Sequence, residues 1–508
     1  MKKQEFFGIY FNIKCGIIFA MDRERKKRIQ TIKLIITEII MVITVVAAVI
    51  ILTFVAMGYN INKNGDLAQS GLLQVRSIPT GATVTIDDET IVAKTNMSRM
   101  LSAGQRFLKL TKNGYDTWTK KINSEPGWLL KLDYPRLFLQ NRTIEKVREY
   151  DNNIQTISYD GEGEQILYKL EKEDKWILLN IAGDDVSETK YDLSKYLEKN
   201  EVKELFWDDN NDKVLMHTRN NDKNEWILIN LRNIENSINI SKEFSLNIAK
   251  AGFMTDSGDR LIVLENGNLR TISVSEKTMS QVLAKNVEDF SYNNDAIAYV
   301  AGIIPTSEII EKTNNKTRSE KDFSADRLMR AIMMYTGNSA DTFIMELAPD
   351  TPIKLALSDY LGKDYLAIAE NNNLRIYRGT YPKGDESLLD MEQVLDGELK
   401  AAPNELKVWT VGELIMAKNG KDIAMFDAEL SKLSEYEIEG ENVFFPEKYM
   451  LGVVAGSKLI VRDFDGENRR ELTTAEGSGG VISKNDKWLY YSLVVENKTN
   501  IFREKIVD

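Results

Sequence analysis

The sequence predicts an all-β protein carried on a single N-terminal transmembrane helix. A small β-sandwich follows the helix, and a seven- or eight-bladed β-propeller fills the rest. Three observations carry this reading: an apolar run near the N-terminus, period-two alternation just after it, and a turn-and-strand phrase that recurs to the C-terminus. The 508 residues suffice for two or three domains at roughly 150 residues each.

Leu34 to Met57 form the apolar run. From Ile39 onward it holds no charge and only two hydroxyls, Thr44 and Thr53. A helix rising about 1.5 Å per residue crosses a bilayer core with roughly 20 apolar residues. Ile39, Val45, Val49 and Leu52 form the body of the span, and Leu34 and Met57 bound it. Arg23, Arg25, Lys26, Lys27, Arg28 and Lys33 precede it. Basic flanks stay in the cytoplasm, so residues 1–33 are expected inside and everything after residue 57 outside the cell membrane. The core exceeds the roughly 7–15 apolar residues of a signal peptide, and "FVAMGYN" is a weak cleavage site, so an uncleaved anchor is expected. Met21 opens a natural-looking start, which makes residues 1–20 an upstream extension in this reading.

Charge divides the chain. Residues 1–60 carry nine Lys/Arg against four Asp/Glu, a net of +5, and the remainder a net of −16. An acidic exterior repels nucleic acid, so no nucleic-acid partner is expected. The single cysteine, Cys15, precedes the span and reads as a stray thiol: charged Lys14 sits where a lipoprotein signal needs a small apolar residue. The exterior part therefore relies on its core, without disulfides or thiolate metal sites.

A polar linker occupies residues 58–70. In residues 71–140, Leu73 and Val75 alternate with polar neighbours, as do Val84 and Ile86. Short antiparallel strands explain this, separated by turns at Pro79-Thr80-Gly81, Asp87-Asp88, Ala103-Gly104 and Asn113-Gly114. Ser77, Pro79, Gly81, Ala82, Gly104, Gly114 and Tyr115 together resemble the motif of the PEGA domain, a small β-sandwich of bacterial and archaeal surface proteins. The family's Thr-Pro stands here as Thr95-Asn96. The resemblance implies a structural or surface-binding module with no catalytic residues. Turn geometry accounts for the Pro and Gly positions, and core packing for Tyr115 and Trp118; a sugar-stacking platform is the rival reading of the two aromatics. Since the resemblance points to a prokaryote, the sequons at Asn141, Asn239, Asn315 and Asn497 are read as chance.

Across residues 141–508 a polar Asp/Asn/Gly turn and an apolar strand recur. The instances are 158–170, 206–218, 253–265, 290–301, 357–370, 415–427, 452–463 and 482–493. Several are followed by a partner strand. Repeats of a few tens of residues, with several short strands each, predict propeller blades. "VRDFDGENRRELT" (461–473) is similar to TolB-like, WD-type repeats, which implies a binding face or channel. Asp463, Asp465 and Glu467 alternate like calcium ligands, but the hairpin turn explains Asp-Gly by itself.

Residues 302–340 form an insert whose first half is charged and expected to be mobile. Its second half reads as a helix with Ser324 as N-cap and Leu328, Met329, Ile332 and Met333 on one stripe. That stripe either packs on the propeller or offers a Met-rich surface to a partner.

The chemistry expected is sparse. His217 is the one histidine, placed in a strand without zinc partners or a nucleophile elbow. No phosphate-cradling glycine loop occurs. No catalytic, cofactor-binding or metal-ligating residues are expected, and the chain is read as a non-enzyme. Its expected role is binding or scaffolding of a protein or cell-wall glycan, with the lipid bilayer as second partner. The alternatives are a propeller-type hydrolase acting on surface glycans and a membrane-tethered sensor.

Overall fold

The computed structural model describes residues 31–54, 59–61, 67–198, 200–220, 223–254, 258–293, 296–313, 327–337, 341–383, 388, 391–409, 412–440, 443–474, 479–495 and 498–508. The chain divides into two compact units, 1–137 and 138–508.

The apolar run is a helix, Thr31–Phe54, of mean hydropathy 2.9, with none of its most apolar stretch buried. Thr37, Thr44 and Thr53 each donate their hydroxyl to the carbonyl four residues back at 2.8 Å. Their polar groups are thus satisfied within the helix, as hydrocarbon surroundings demand. Lys33 lies in the first turn of the helix. Cys15, Arg23, Arg25, Lys26, Lys27, Arg28 and Met57 lie outside the described residues.

Among the described residues, the rest of the first unit holds two four-stranded sheets. In the first sheet, the long strand Leu67–Val75 pairs with Tyr59–Ile61, Met97–Ser102 and Leu129–Leu132, the last in parallel. The second sheet runs Glu89–Lys94, Thr83–Ile86, Gly104–Thr111, Trp118–Ser124, all antiparallel. Leu73 and Val75 of the first, and Val84, Ile86, Leu108, Leu110, Trp118 and Ile122 of the second, are buried. Every second residue of a strand points to one face, so the alternation in the sequence becomes this core.

The second unit contains eight four-stranded sheets among the described residues. Seven are built in chain order: blades 1 (154–192), 2 (201–239), 3 (248–279), 4 (287–347), 5 (353–398), 6 (405–437) and 7 (443–474). Blade 8 combines Gly480–Ile482, Trp488–Val495 and Lys498–Lys505 with Ile144–Tyr150, a strand from the start of the unit. First strands of neighbouring blades touch: Val287–Tyr292 meets Ile353–Tyr360, which meets Glu405–Trp409. These first strands are therefore the inner ones around a common axis. Ile166, Tyr168 and Leu179 of blade 1 share a core with Val481, Trp488 and Tyr490 of blade 8, which closes the ring. The architecture is an eight-bladed β-propeller. The eight phrases of the sequence fall one per blade. Six span the turn between the first and second strands, and 415–427 and 452–463 span the next turn.

The predicted helix carrying Leu328, Met329, Ile332 and Met333 is instead the strand Leu328–Tyr335 of blade 4. Met329 pairs with Ile304, Ile332 with Val300 and Met333 with Tyr299. Met329, Ile332 and Met333 are buried, so they are core and not a partner surface; Leu328 alone of the four is exposed. A strand covered on both faces is apolar at consecutive positions and loses its period-two signature, so its spacing imitates a helical stripe. The helix of this region lies earlier, at Thr306–Thr313, within the half expected to be mobile, and Ile309 anchors it in the core. Ser324 and the rest of 314–326 lie outside the described residues.

Candidate functional site

In the propeller, several of the buried carboxylates belong to turns, while Glu504, equally buried, lies in the strand Lys498–Lys505. Asp160 accepts hydrogen bonds from the Glu164 N–H at 3.1 Å through both oxygens. Asp208 occupies the same position in blade 2 and accepts from the Asp212 and Lys213 N–H groups at 2.8 and 2.7 Å. Asp427 holds the N–H groups of Glu429 and Leu430 in the same manner. Burial pushes the Asp160 carboxyl up to about 7 and raises that of Asp208. Each of these acids satisfies backbone donors of its own turn, the local role of Asp in tight turns.

Asp463 likewise closes a hairpin: its carbonyl accepts from Gly466 N–H at 2.9 Å and its carboxylate from Asn468 at 2.9 Å. Asp465 accepts from the Glu467 N–H at 3.2 Å. Among the described residues no group of three or more His, Cys, Asp and Glu side chains is placed to hold a metal ion.

The inner strands of blades 3, 4 and 5 carry neighbouring charges of alternating sign. Lys250 donates to Asp289 and to the Phe290 carbonyl, both at 2.7 Å, and Lys354 stands 3.9 Å from Asp289. A cavity of about 640 Å³ opens where the inner strands of blades 1 and 2 meet the hairpin of blade 8; Gln155, Thr156, Ser158, Lys203, Glu204 and Thr499 are among its lining residues. This volume falls in the range of small-ligand sites. His217 lies in strand Lys213–Asn220, stacked on Trp226 at 4.7 Å with Nδ1 3.3 Å from Glu204. It packs as a strand residue.

In the first unit four of the residues singled out from the sequence, Ser77, Pro79, Gly81 and Ala82, meet in one hydrogen-bonded turn. Ala82 N–H donates to Thr95 Oγ1 at 2.9 Å, Thr95 and Ser77 hydroxyls lie 2.6 Å apart, and Ser77 Oγ donates to the Pro79 carbonyl at 2.7 Å. Asn96 Oδ1 accepts from the Ser77 N–H at 3.3 Å. Gly81 sits at φ +81°, the left-handed region that glycine enters at no cost. A family model described as PEGA domain matches residues 70–136.

The PEGA motif residues Ser77, Pro79, Gly81 and Ala82 thus converge on Thr95-Asn96. Gly104 opens the strand Gly104–Thr111 and Gly114 lies in another turn of the same sandwich, both at positive φ. Tyr115 and Trp118 are buried, Trp118 edge-on to Tyr134 at 6.2 Å, so they form core and no stacking platform. Thr95 is the hydrogen-bonding hub of this turn, and its signal in the sequence is its place opposite the Pro79 turn.

The chain also aligns with solved structures. An oligogalacturonate lyase in complex with manganese is 10% identical, covering 70% of this chain and 98% of that one, with a TM-score of 0.38. The tricorn protease is 11% identical over 75% of this chain and 41% of its own, at 0.38. Dipeptidyl peptidase 4 of Porphyromonas gingivalis is 12% identical over 68% and 56%, at 0.42. A search of curated proteins finds no match.

Proposed function

We propose that this chain is a membrane-anchored, non-catalytic surface protein. Its helix holds it in the cell membrane with the N-terminus in the cytoplasm. Its PEGA-matching sandwich and its propeller, of TolB-like, WD-type ancestry, bind or scaffold a protein or a cell-wall glycan outside. The observation that carries the reading is the helix Thr31–Phe54, apolar throughout its core and unburied by the rest of the chain. Apolar surface of that extent requires a non-aqueous neighbour. A rigid ring of blades with loops at both ends suits recognition. Hydrolysis of a glycoside needs two carboxylates about 5–10 Å apart facing one substrate. Of the buried acids, Asp160, Asp208 and Asp427 are bonded within their own turns, Glu504 is held by Arg142 and Asp341 by the Tyr299 hydroxyl.

The test is retention by the full chain, reconstituted in lipid nanodiscs, of purified cell-wall glycan and of extracellular protein fractions. Saturable capture of the glycan or of one protein, with no soluble sugar or peptide released, is the expected result. Release of cleaved product that grows with time would contradict it.

A further inference from the structure

We propose that the outer face of the first sandwich sheet rests on the surface of the bilayer that holds the apolar helix. The inference rests on the membrane-anchor reading and goes beyond it. Leu72 pairs in register with Met100 on one side and Leu129 on the other. Residues opposite one another in a sheet share a face, so the three side chains form a row across three strands. Leu72 is 37% exposed, Met100 39% and Leu129 50%. The adjacent Leu73 and Leu101 turn inward and are buried, as is Leu132 three residues after Leu129. Trp128, just before Leu129, is 54% exposed, and its carbonyl accepts from the Leu72 N–H at 2.8 Å. A single exposed apolar side chain needs no explanation, but a contiguous row marks a contact surface.

The position of the row names the occupant. The Phe54 ring, at the end of the helix, meets the Tyr59 ring edge-on at 5.1 Å. Tyr59 pairs with Gln69 on the long strand. Three residues of strand, about 10 Å, separate Gln69 from Leu72. The helix of 24 residues spans roughly 36 Å against a hydrocarbon core of about 30 Å. Its end therefore reaches the interfacial layer, and the sheet begins there. A tryptophan ring suits that layer. Along the same face lie Lys131 and Arg76, which share one carboxylate, Asp133, at 2.7 and 3.7 Å. Both cations stand beside the apolar row, with the sign that anionic headgroups attract.

The full chain with Cys15→Ser, reconstituted in phosphatidylcholine–phosphatidylglycerol vesicles, tests this. A polarity-sensitive dye is placed at Met100→Cys or Leu129→Cys on the row, and at Val92→Cys, which is fully exposed on an edge of the other sheet. Lipid-borne nitroxide should quench the row labels several-fold more than the Val92 label, since an interfacial face settles about 5–10 Å into the boundary. Vesicles that float with the protein while all three labels respond only to aqueous iodide would overturn the proposal and leave the anchor standing. Row labels shielded from both quenchers would place a protein, such as a second copy, on the face and overturn it equally. Protein recovered free of vesicles would remove both readings.

Discussion

Arg142 donates its guanidinium Nε–H to Glu504, 362 residues further along the chain. The same guanidinium donates to the carbonyls of Leu472 at 2.8 Å and Leu139 at 3.1 Å. It thus joins the last strand of blade 7, the third strand of blade 8, Lys498–Lys505, and the entry to the propeller. Strand Ile144–Tyr150 starts two residues later and completes blade 8.

Arg142→Ala should loosen this closure. Glu504 is nearly inaccessible and its carboxyl is raised by burial, with Arg142 acting in opposition. Leaving a buried carboxylate unpaired costs about 3–5 kcal/mol. Urea unfolding at neutral pH should show that loss. The loss should shrink in acid, because a protonated Glu504 carries no charge to strand.

Asp160 gives a second pH dependence. Burial pushes it from an ordinary 3.8 up to about 7, so the folded chain holds a proton that the unfolded chain has released. Where the native state binds more protons, stability falls as pH rises. The contribution is complete below about pH 4 and is lost as pH climbs to about 7, on the order of 4 kcal/mol for a shift of this size. Asp160→Asn keeps an acceptor for Glu164 N–H, and thermal melts across this window should lose that part of their slope.

Gly163 seals blade 1 to blade 8. Its carbonyl accepts from Lys484 N–H at 2.8 Å, its φ is +68°, and a Cβ there would stand 2.0 Å from the Ile482 carbonyl oxygen. Gly163→Ala combines about 1–2 kcal/mol of left-handed strain with that overlap. The expected result is a fall in stability of at least about 2 kcal/mol, read by urea unfolding, with early hydrogen exchange in strands Gln165–Leu170 and Trp488–Val495.

Thr95→Val conserves shape and removes the acceptor of the buried Ala82 N–H. An unsatisfied buried donor costs about 1–3 kcal/mol. The sandwich transition should move down in differential scanning calorimetry while the propeller transition holds.

Met333→Ala distinguishes core from partner surface. As an inward residue of blade 4 it should cost about 2–5 kcal/mol. A surface methionine would change stability by less than about 0.5 kcal/mol.

How much of this was legible depends on whether the signal is local. The eight Asp/Asn/Gly turns each mark one blade because turn chemistry is written within a few residues. The Pro79–Ala82 turn is legible for the same reason. The strand Ile144–Tyr150 is mostly exposed and pairs with residues at the far end of the chain, so no local pattern announces its blade. Leu328–Tyr335 is buried on both faces and mimics a helix. Thr95 acts through Ser77 and Ala82, partners 18 and 13 residues away, and only the folded turn shows why it matters.

Under the proposed function, one helix sets this chain in the membrane with its sandwich and propeller outside. The most direct measurement labels Val92→Cys, in the Cys15→Ser chain, on intact cells with a membrane-impermeant maleimide and follows the labelled band through a carbonate wash. Labelling without permeabilisation and a band that stays with the washed membranes are the expected result. Labelling only after the cells are opened, or a band released into the wash, would contradict it.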